Sequence, residues 1–278
     1  MRQGRLRYLL GGAFHGLAWT EWGPQDGAPV ICVHGLTRNG RDFDALAAHL
    51  AAQGRRVLCP DLPGRGASDW LPYPALYTAP SYVVALAHLL ARLDGPVDWV
   101  GTSLGGICGM MVAAGQGHPI RRLVLNDVGA RVPAAATARI AEYIGETLAF
   151  SDLDALEAHL REVHAPFGAL DDGYWRHMAQ HSHRLLPDGR FAMHYDPAIA
   201  QPIRQAPPGP VDLTALWSLV QVPVLLLRGA ESDVLDEETA QEMALRPGVE
   251  CVTLPGIGHA PALADPAQIA LVARFLVA

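Results

Sequence analysis

The sequence contains no lysine, so the 21 basic residues are all arginine. Mechanisms that need a lysine amine, such as Schiff-base formation, are therefore excluded. Cysteine is also sparse, and no two of the four cysteines form a C-x-x-C pair or a metal-type spacing. Such separation favours buried free thiols and a cytoplasmic location over disulfides or a zinc site. The four residues are Cys32, Cys59, Cys108 and Cys251.

Long apolar runs are missing as well. Near the N-terminus the apolar run covers only residues 8–10, which is too short for a signal-peptide core. No stretch approaches the roughly 18 apolar residues of a membrane span, so none is expected. The net charge of −7 does not favour nucleic acid or anionic membranes as partners. Half of the 278 residues are nevertheless apolar, which predicts a globular protein, either a monomer or a homodimer.

Apolar strand-like runs alternate with helix-like segments, and this alternation predicts an α/β fold with a mostly parallel sheet flanked by helices. The predicted strands are 14–22, 29–34, 56–60, 97–102, 122–127, 222–228 and 250–254. The predicted helices between and after them are 42–53, 81–93, 104–116, 236–245 and 266–277.

The alternation is interrupted between residues 131 and 213. This part contains helical patterns at 134–147, 153–164 and 172–185, no convincing buried strand, and a proline-rich linker at 206–210. We therefore predict a core domain formed by residues 1–130 and 214–278, with residues 131–213 inserted as a helical cap. Such an insertion roofs the ends of the strands, where ligands of open α/β folds bind.

A G-x-S-x-G pattern lies between a predicted strand and a predicted helix, at Gly101–Gly105. This context is that of a nucleophile elbow, so Ser103 is the predicted nucleophile. A glycine-rich turn of this kind can also hold a phosphate. However, the dinucleotide pattern G-x-G-x-x-G is absent, and a P-loop needs a lysine.

A serine nucleophile needs a histidine base that is oriented by a carboxylate. His259 lies in a small-residue loop after the last predicted strand, in the order Ser, Asp, His typical of this arrangement. Asp233, in the loop after strand 222–228, is the predicted acid. Three other carboxylates compete with it: Glu231, Asp236 and, at the end of the preceding strand, Asp127.

Acyl transfer also needs two backbone N–H donors for the oxyanion. Leu104 follows the nucleophile and starts a helix, so its N–H is one predicted donor. Leu36, in the loop after strand 29–34, supplies the other. His34, which ends that strand, is predicted to brace the loop and not to act as a base.

Six segments together resemble the α/β-hydrolase superfamily, in its capped branch of esterases and lactonases, over nearly the whole chain. The segments are H-G-L-T at His34, D-L-P-G-R-G-A-S at Asp61, G-T-S-L-G-G at Gly101, N-D at Asn126, R-G-A-E-S-D at Arg228 and G-I-G-H at Gly256.

The resemblance implies an eight-stranded sheet, the cap after strand six, no cofactor, and hydrolysis of a small or medium carboxylic ester through an acyl-enzyme. Epoxide hydrolases and haloalkane dehalogenases are excluded because they require Asp where Ser103 stands. A lactonase or thioesterase with the same triad, or a ligand receptor built on this fold, remains an alternative.

Candidate pocket residues are Arg38, Trp175, Met178 and Met193. Arg38 could pair with a substrate carboxylate, as could Arg65 and Arg131, although each also suits a structural salt bridge. His177 and His181 have the i, i+4 spacing of metal ligands, but no H-E-x-x-H pattern accompanies them. No metal site is predicted.

Overall fold

The first half of the chain forms most of a large sheet. The computed structural model describes residues 1–207 and 209–277. Its strands are β1 (Arg2–Leu10), β2 (Ala13–Trp22), β3 (Pro29–Val33), β4 (Arg56–Pro60), β5 (Val97–Thr102) and β6 (Ile120–Asn126). Its helices are α1 (Asp44–Ala52), α2 (Ala79–Leu90) and α3 (Leu104–Ala113), with 3₁₀ turns at Gly40–Phe43 and Pro74–Leu76.

Residues 131–213, called the insertion below, follow β6. They contain β7 (Arg131–Val132), α4 (Ala134–Tyr143), β8 (Ala149–Phe150), α5 (Leu153–Val163), α6 (Asp172–His181), β9 (His183–Leu185), β10 (Phe191–Met193), α7 (Ala200–Gln205) and β11 (Val211–Asp212). Further 3₁₀ turns lie at Ala165–Phe167 and Pro197–Ile199. The predicted linker 206–210 includes residue 208, which lies outside the described residues.

The chain then completes the sheet. It continues with α8 (Thr214–Leu219), β12 (Val224–Gly229), α9 (Glu237–Ala244), β13 (Val249–Leu254) and α10 (Pro266–Val277). The strand order is β1-β2-β4-β3-β5-β6-β12-β13, with antiparallel pairing of β1 with β2 and of β2 with β4, and parallel pairing elsewhere. The predicted eight-stranded, mostly parallel sheet is thereby confirmed.

Besides the predicted helices, the insertion contains short strands, most of whose residues are half-buried or exposed. β8, β10 and β9 form a small antiparallel sheet, and β7 pairs with β11. The third helix predicted there ends at His181, because the chain then turns into β9. These strands are two or three residues long, too short to show the alternation by which a strand is recognised in sequence.

The insertion joins the sheet through the short pair formed by β7 and β11, which we call the neck. Arg131 pairs with Asp212 and Val132 with Val211. The N–H of Leu213 donates a hydrogen bond to the carbonyl of Ala130 at 2.7 Å. The two chain crossings between sheet and insertion are therefore tied to each other.

The hydrophobic core lies on both faces of the sheet, as expected for parallel strands covered by helices on each side. In β3, all of whose residues are buried, Ile31 and Val33 pack into one cluster with Trp99, whereas Val30 and Cys32 pack into the other. This alternation fixes the strand register. Within the described residues, no helix combines the length and apolar character needed to cross a membrane.

Candidate active site

Ser103 sits in the sharp turn between β5 and α3. Its backbone has φ 51° and ψ −115°, a region that costs a non-glycine residue energy and is found mainly at functional sites. Gly101 and Gly105 allow this turn, because a Cβ on either residue would overlap backbone atoms of the packed strand and helix. The Ser103 N–H donates to the carbonyl of Asn126 at 3.0 Å, which ties the turn to β6.

The imidazole of His259 lies between a hydroxyl and a carboxylate. Its Nε2 is 3.0 Å from Ser103 Oγ, and its Nδ1 is 2.7 Å from Asp127 Oδ2. A carboxylate can only accept here, so Nδ1 carries the proton and Nε2 is free to accept from the serine hydroxyl. This is the geometry required of a base that activates a serine.

Asp127 is the carboxylate in contact with His259. It follows β6 directly, has φ 56°, and is fully buried. Besides the histidine contact, it accepts hydrogen bonds from the Gly229 N–H at 2.8 Å and from Ser232 Oγ at 2.6 Å. Three hydrogen bonds on one buried carboxylate compensate its loss of solvent and fix its orientation.

The predicted contact of Asp233 with the histidine is wrong. Asp233 forms a two-pronged ion pair with Arg139 of α4, at 2.6 and 3.1 Å, and both side chains are nearly half exposed. From the same loop it is Ser232 that turns inward and reaches Asp127. Of the remaining candidates, Asp236 caps α9 and Glu231 is exposed.

The loop after β3 lies against Ser103, the predicted nucleophile. A Cβ built on Gly35 would be 3.7 Å from Ser103 Cβ, and the neighbouring Leu36 lines the same cavity as Ser103 and Leu104. Leu104 is the first residue of α3, so its N–H belongs to the free N-terminal end of that helix. Both predicted oxyanion donors are thus close to the nucleophile.

Buried polar side chains support this loop. His34 accepts a hydrogen bond from the Leu62 N–H at 2.9 Å and donates through Nδ1 to the Gly35 carbonyl at 2.7 Å. Burial lowers the pKa of His34 to about 3, so it is a neutral brace. Arg65, fully buried, donates to the Leu36 carbonyl at 2.9 Å, a role that sequence reasoning missed.

A cavity of about 1270 Å³ opens in front of Ser103 and His259. Its lining is mostly apolar and comes from the loop after β3, from α4, and from the chain around residues 163–167, 202–207 and 209–211. Of the predicted pocket residues, Arg38 lines it. A cavity with a few convergent polar groups is the usual form of a small-molecule site.

The other three predicted pocket residues are not among its described lining residues. Trp175 and Met178 are buried inside the insertion, where they pack with Leu156 and Leu160, and Met193 packs against this cluster. The prediction was wrong for Trp175 and Met178 because the apolar face of α6 packs against α5 and not toward the active site, and for Met193 because β10 packs against the same cluster. Arg131 is also not among the described lining residues, and it pairs with Glu242 on the surface.

His177 and His181 do lie together, and the structure adds Asp44 of α1, with one ligand atom of each residue within 4.8 Å of the others. The guanidinium of Arg41 lies among these three side chains, because it pairs with Asp44 and is 3.3 Å from His181 Nδ1. Asp44 raises the pKa of His177. The group therefore acts as a polar contact between sheet domain and insertion.

His164 is a cavity residue that sequence reasoning missed. It follows α5, is almost fully buried, and stacks on Phe167 with ring centroids 4.7 Å apart. Two residues later, the carbonyl of Pro166 accepts a hydrogen bond from the Gly258 N–H at 2.6 Å, next to His259. The one available signal was its position, at the end of a helix in the predicted cap.

Known proteins resemble this chain over most of its length. Residues 30–271 match the model of the alpha/beta hydrolase family. The chain is 40% identical to 3-hydroxybutyrate-oligomer hydrolase of Cupriavidus necator, over 99% of this chain and 97% of that protein. It is 30% identical to an esterase of Mycobacterium tuberculosis, over 83% of this chain and 74% of that one. The crystal structure of an alpha/beta hydrolase from Novosphingobium aromaticivorans superimposes with a TM-score of 0.87 at 38% identity, covering 99% and 98% of the two chains.

Proposed function

The chain belongs to the alpha/beta hydrolase family and is a carboxylic-ester hydrolase, and we propose that Ser103, His259 and Asp127 form its catalytic triad. The observation that carries this proposal is the unbroken hydrogen-bond chain from Ser103 Oγ through the imidazole to the buried Asp127 carboxylate. Asp127 takes the orienting role that the sequence had suggested for Asp233.

The reaction follows from these contacts. Ser103 Oγ adds to the ester carbonyl while its proton passes to Nε2 of His259, and the N–H groups of Leu36 and Leu104 hold the oxyanion. The C–O bond then breaks, and the leaving alkoxide takes the proton from His259. Water attacks the acyl-enzyme, gives a proton to His259, and releases the acid as Ser103 regains that proton.

Residues 131–213 form the lid of this site in our proposal, and the remaining chain forms the catalytic domain. The insertion supplies much of the cavity lining, and it is fastened near the triad by the bonds from Gly258 to Pro166 and from Arg139 to Asp233. A lid of this kind excludes water from the acyl-enzyme until the alcohol has left.

We further propose that the substrate is a short ester of a hydroxy acid. The 3-hydroxybutyrate-oligomer hydrolase resembles this chain over almost its full length, and the cavity volume suits a small oligomer better than a single acetyl ester. The four cysteines are free thiols, three of them buried, which fits the cytoplasmic location proposed from the sequence.

Replacement of Ser103 by Ala tests the proposed nucleophile. Turnover of a p-nitrophenyl ester should fall on the order of 10⁶-fold, and labelling by a fluorophosphonate should disappear. Ser218→Ala, on the exposed side of α8, is the matched control and should keep both. Retained turnover in the Ser103 variant would refute the assignment.

Substrate class needs a separate measurement. Esters of increasing acyl length should be compared with linear 3-hydroxybutyrate oligomers, lactones and acyl-thioesters by kcat/KM. We expect the oligomers to be hydrolysed best. A single turnover followed by arrest with every substrate would favour a receptor over an enzyme.

A further inference from the structure

The cavity contains two polar side chains from different parts of the chain that the proposed triad and oxyanion loop do not use. They are Arg38, which follows the oxyanion loop, and His164, which follows α5 in the insertion. Among the other polar lining groups, Tyr77 donates to Asp196, Tyr82 contacts Arg65, and Arg139 pairs with Asp233.

Arg38 is a buried cation with one free edge. Its Nε and Nη2 donate to the two oxygens of Asp42 at 2.9 and 2.6 Å, while its buried Nη1 has no partner among the described residues. A buried donor without a partner costs stability, so its retention calls for an explanation. Arg38 lines the cavity, and an unpartnered guanidinium N–H group is suited to a carboxylate oxygen.

His164 lines the same cavity as His259, the residue that must protonate the leaving alcohol in the proposed reaction. It is held beside His259 by the bond from Gly258 to Pro166, and His259 has to deliver its proton to the departing oxygen. Burial, with the nearby charge of Arg38, lowers the pKa of His164, so its ring is a neutral hydrogen-bonding group. Arg38 and His164 both line the cavity that opens in front of Ser103 and His259.

We propose that Arg38 and His164 form a carboxylate subsite on the leaving-group side, which selects esters whose alcohol part is a hydroxy acid with a free carboxylate. This inference rests on the proposed function. In a 3-hydroxy acid, one methylene separates the carboxylate from the carbon that bears the ester oxygen. A carboxylate held beside His259 therefore leaves the ester oxygen within reach of that histidine.

The subsite gives the cleavage a direction. Because the free carboxylate occurs only at one end of a linear oligomer, the enzyme removes one hydroxy acid at a time from that end. Each event breaks the last ester bond: the acyl part stays on Ser103, and the terminal unit leaves as its alcohol with the proton from His259. Water then releases the shortened oligomer, which again has a free carboxylate.

The test compares the linear 3-hydroxybutyrate dimer with its carboxamide, which has the same shape without the charge. The parent protein should prefer the free acid by about 10- to 100-fold in kcat/KM, as expected for hydrogen bonds to a charged group. Arg38→Gln should bring this ratio to within about threefold of unity. His164→Phe keeps the stacking on Phe167 and should lower the ratio by a smaller factor.

Arg274→Gln removes an arginine whose ion pair with Glu250 is on the surface, and it should leave the ratio unchanged. Fluorophosphonate labelling reports whether each variant is folded at the active site, and His164→Phe carries the test if Arg38→Gln does not fold. A parent ratio near unity, or a ratio unaffected in both variants, overturns the subsite.

The two proposals fail in distinguishable ways. If the parent hydrolyses p-nitrophenyl esters but neither dimer, the subsite is refuted and the serine esterase stands. If it hydrolyses no ester and takes no fluorophosphonate, both are refuted. In a trimer with a labelled carboxyl-terminal unit, labelled monomer as the first product supports the subsite, and labelled dimer contradicts it.

Discussion

Exchange of Asp127 for Asn should almost abolish catalysis, whereas the same exchange at Asp233 should not. The Asp127 carboxylate accepts three hydrogen bonds while fully buried. An amide of the same size can preserve the shape, but its NH₂ group facing His259 would favour the wrong imidazole tautomer. Such a change costs about 10⁴-fold in kcat in a serine protease, or about 5 kcal/mol of transition-state stabilisation.

Asp233→Asn removes instead an ion pair whose two side chains are 44% and 46% exposed. Exposed pairs contribute about 0.2–1 kcal/mol, so activity should change by about fivefold at most. The assay is kcat/KM for a p-nitrophenyl ester, with urea unfolding of both variants to separate catalysis from folding. A drop of three orders of magnitude in the Asp233 variant, with the Asp127 variant nearly intact, would refute the assignment.

Acidification should destabilise the fold. The pKa of His34 is about 6.5 in the unfolded chain and about 3 in the folded protein, so only the unfolded chain binds this proton as the pH falls below 6.5. Stability that is present above pH 6.5 is therefore lost at lower pH. Between pH 6.5 and 5 the free energy of unfolding, measured with urea, should fall by about 2 kcal/mol. This decrease should be smaller in His34→Gln, and it should be unchanged in His49→Gln, which alters an exposed histidine. Gly105→Ala should lower the free energy of unfolding by about 1–3 kcal/mol and abolish activity in the ester assay, because the added Cβ meets the β3 backbone. Gly173→Ala, at an exposed position of α6, should keep activity. Met178→Ala should lower the free energy of unfolding by about 2–5 kcal/mol without changing the acyl-length profile, and a changed profile would contradict its place outside the cavity.

The sheet could be predicted from sequence because its signals are local. Buried strands read as apolar runs, and the elbow reads as glycines around a serine between a strand and a helix. Ser103 and His259 could be selected from these signals, because Ser103 directly follows β5 and His259 lies in the loop after β13.

The carboxylate that contacts His259 could not be identified from such local signals. β6 and β12 are adjacent and parallel, so Asp127 and Asp233 both reach the same edge of the sheet. What separates them is side-chain direction, which depends on the positive φ of Asp127 and on the inward turn of Ser232. Neither leaves a pattern in the sequence. The position of the apolar face of α6 could not be predicted for a similar reason. An apolar stripe in a sequence predicts a buried helix face, but it does not identify the neighbouring element against which that face packs.

The neck has a practical consequence for anyone who exchanges lids between related hydrolases. The neck begins four residues after Asp127. A graft that brings only one of its two strands would therefore remove the strand pairing next to Asp127 and disturb the orientation of that carboxylate. Transplants cut outside both crossings, with β7 and β11 carried over as a unit, should keep esterase chemistry while they import a new substrate range. Recombination in nature faces the same boundary.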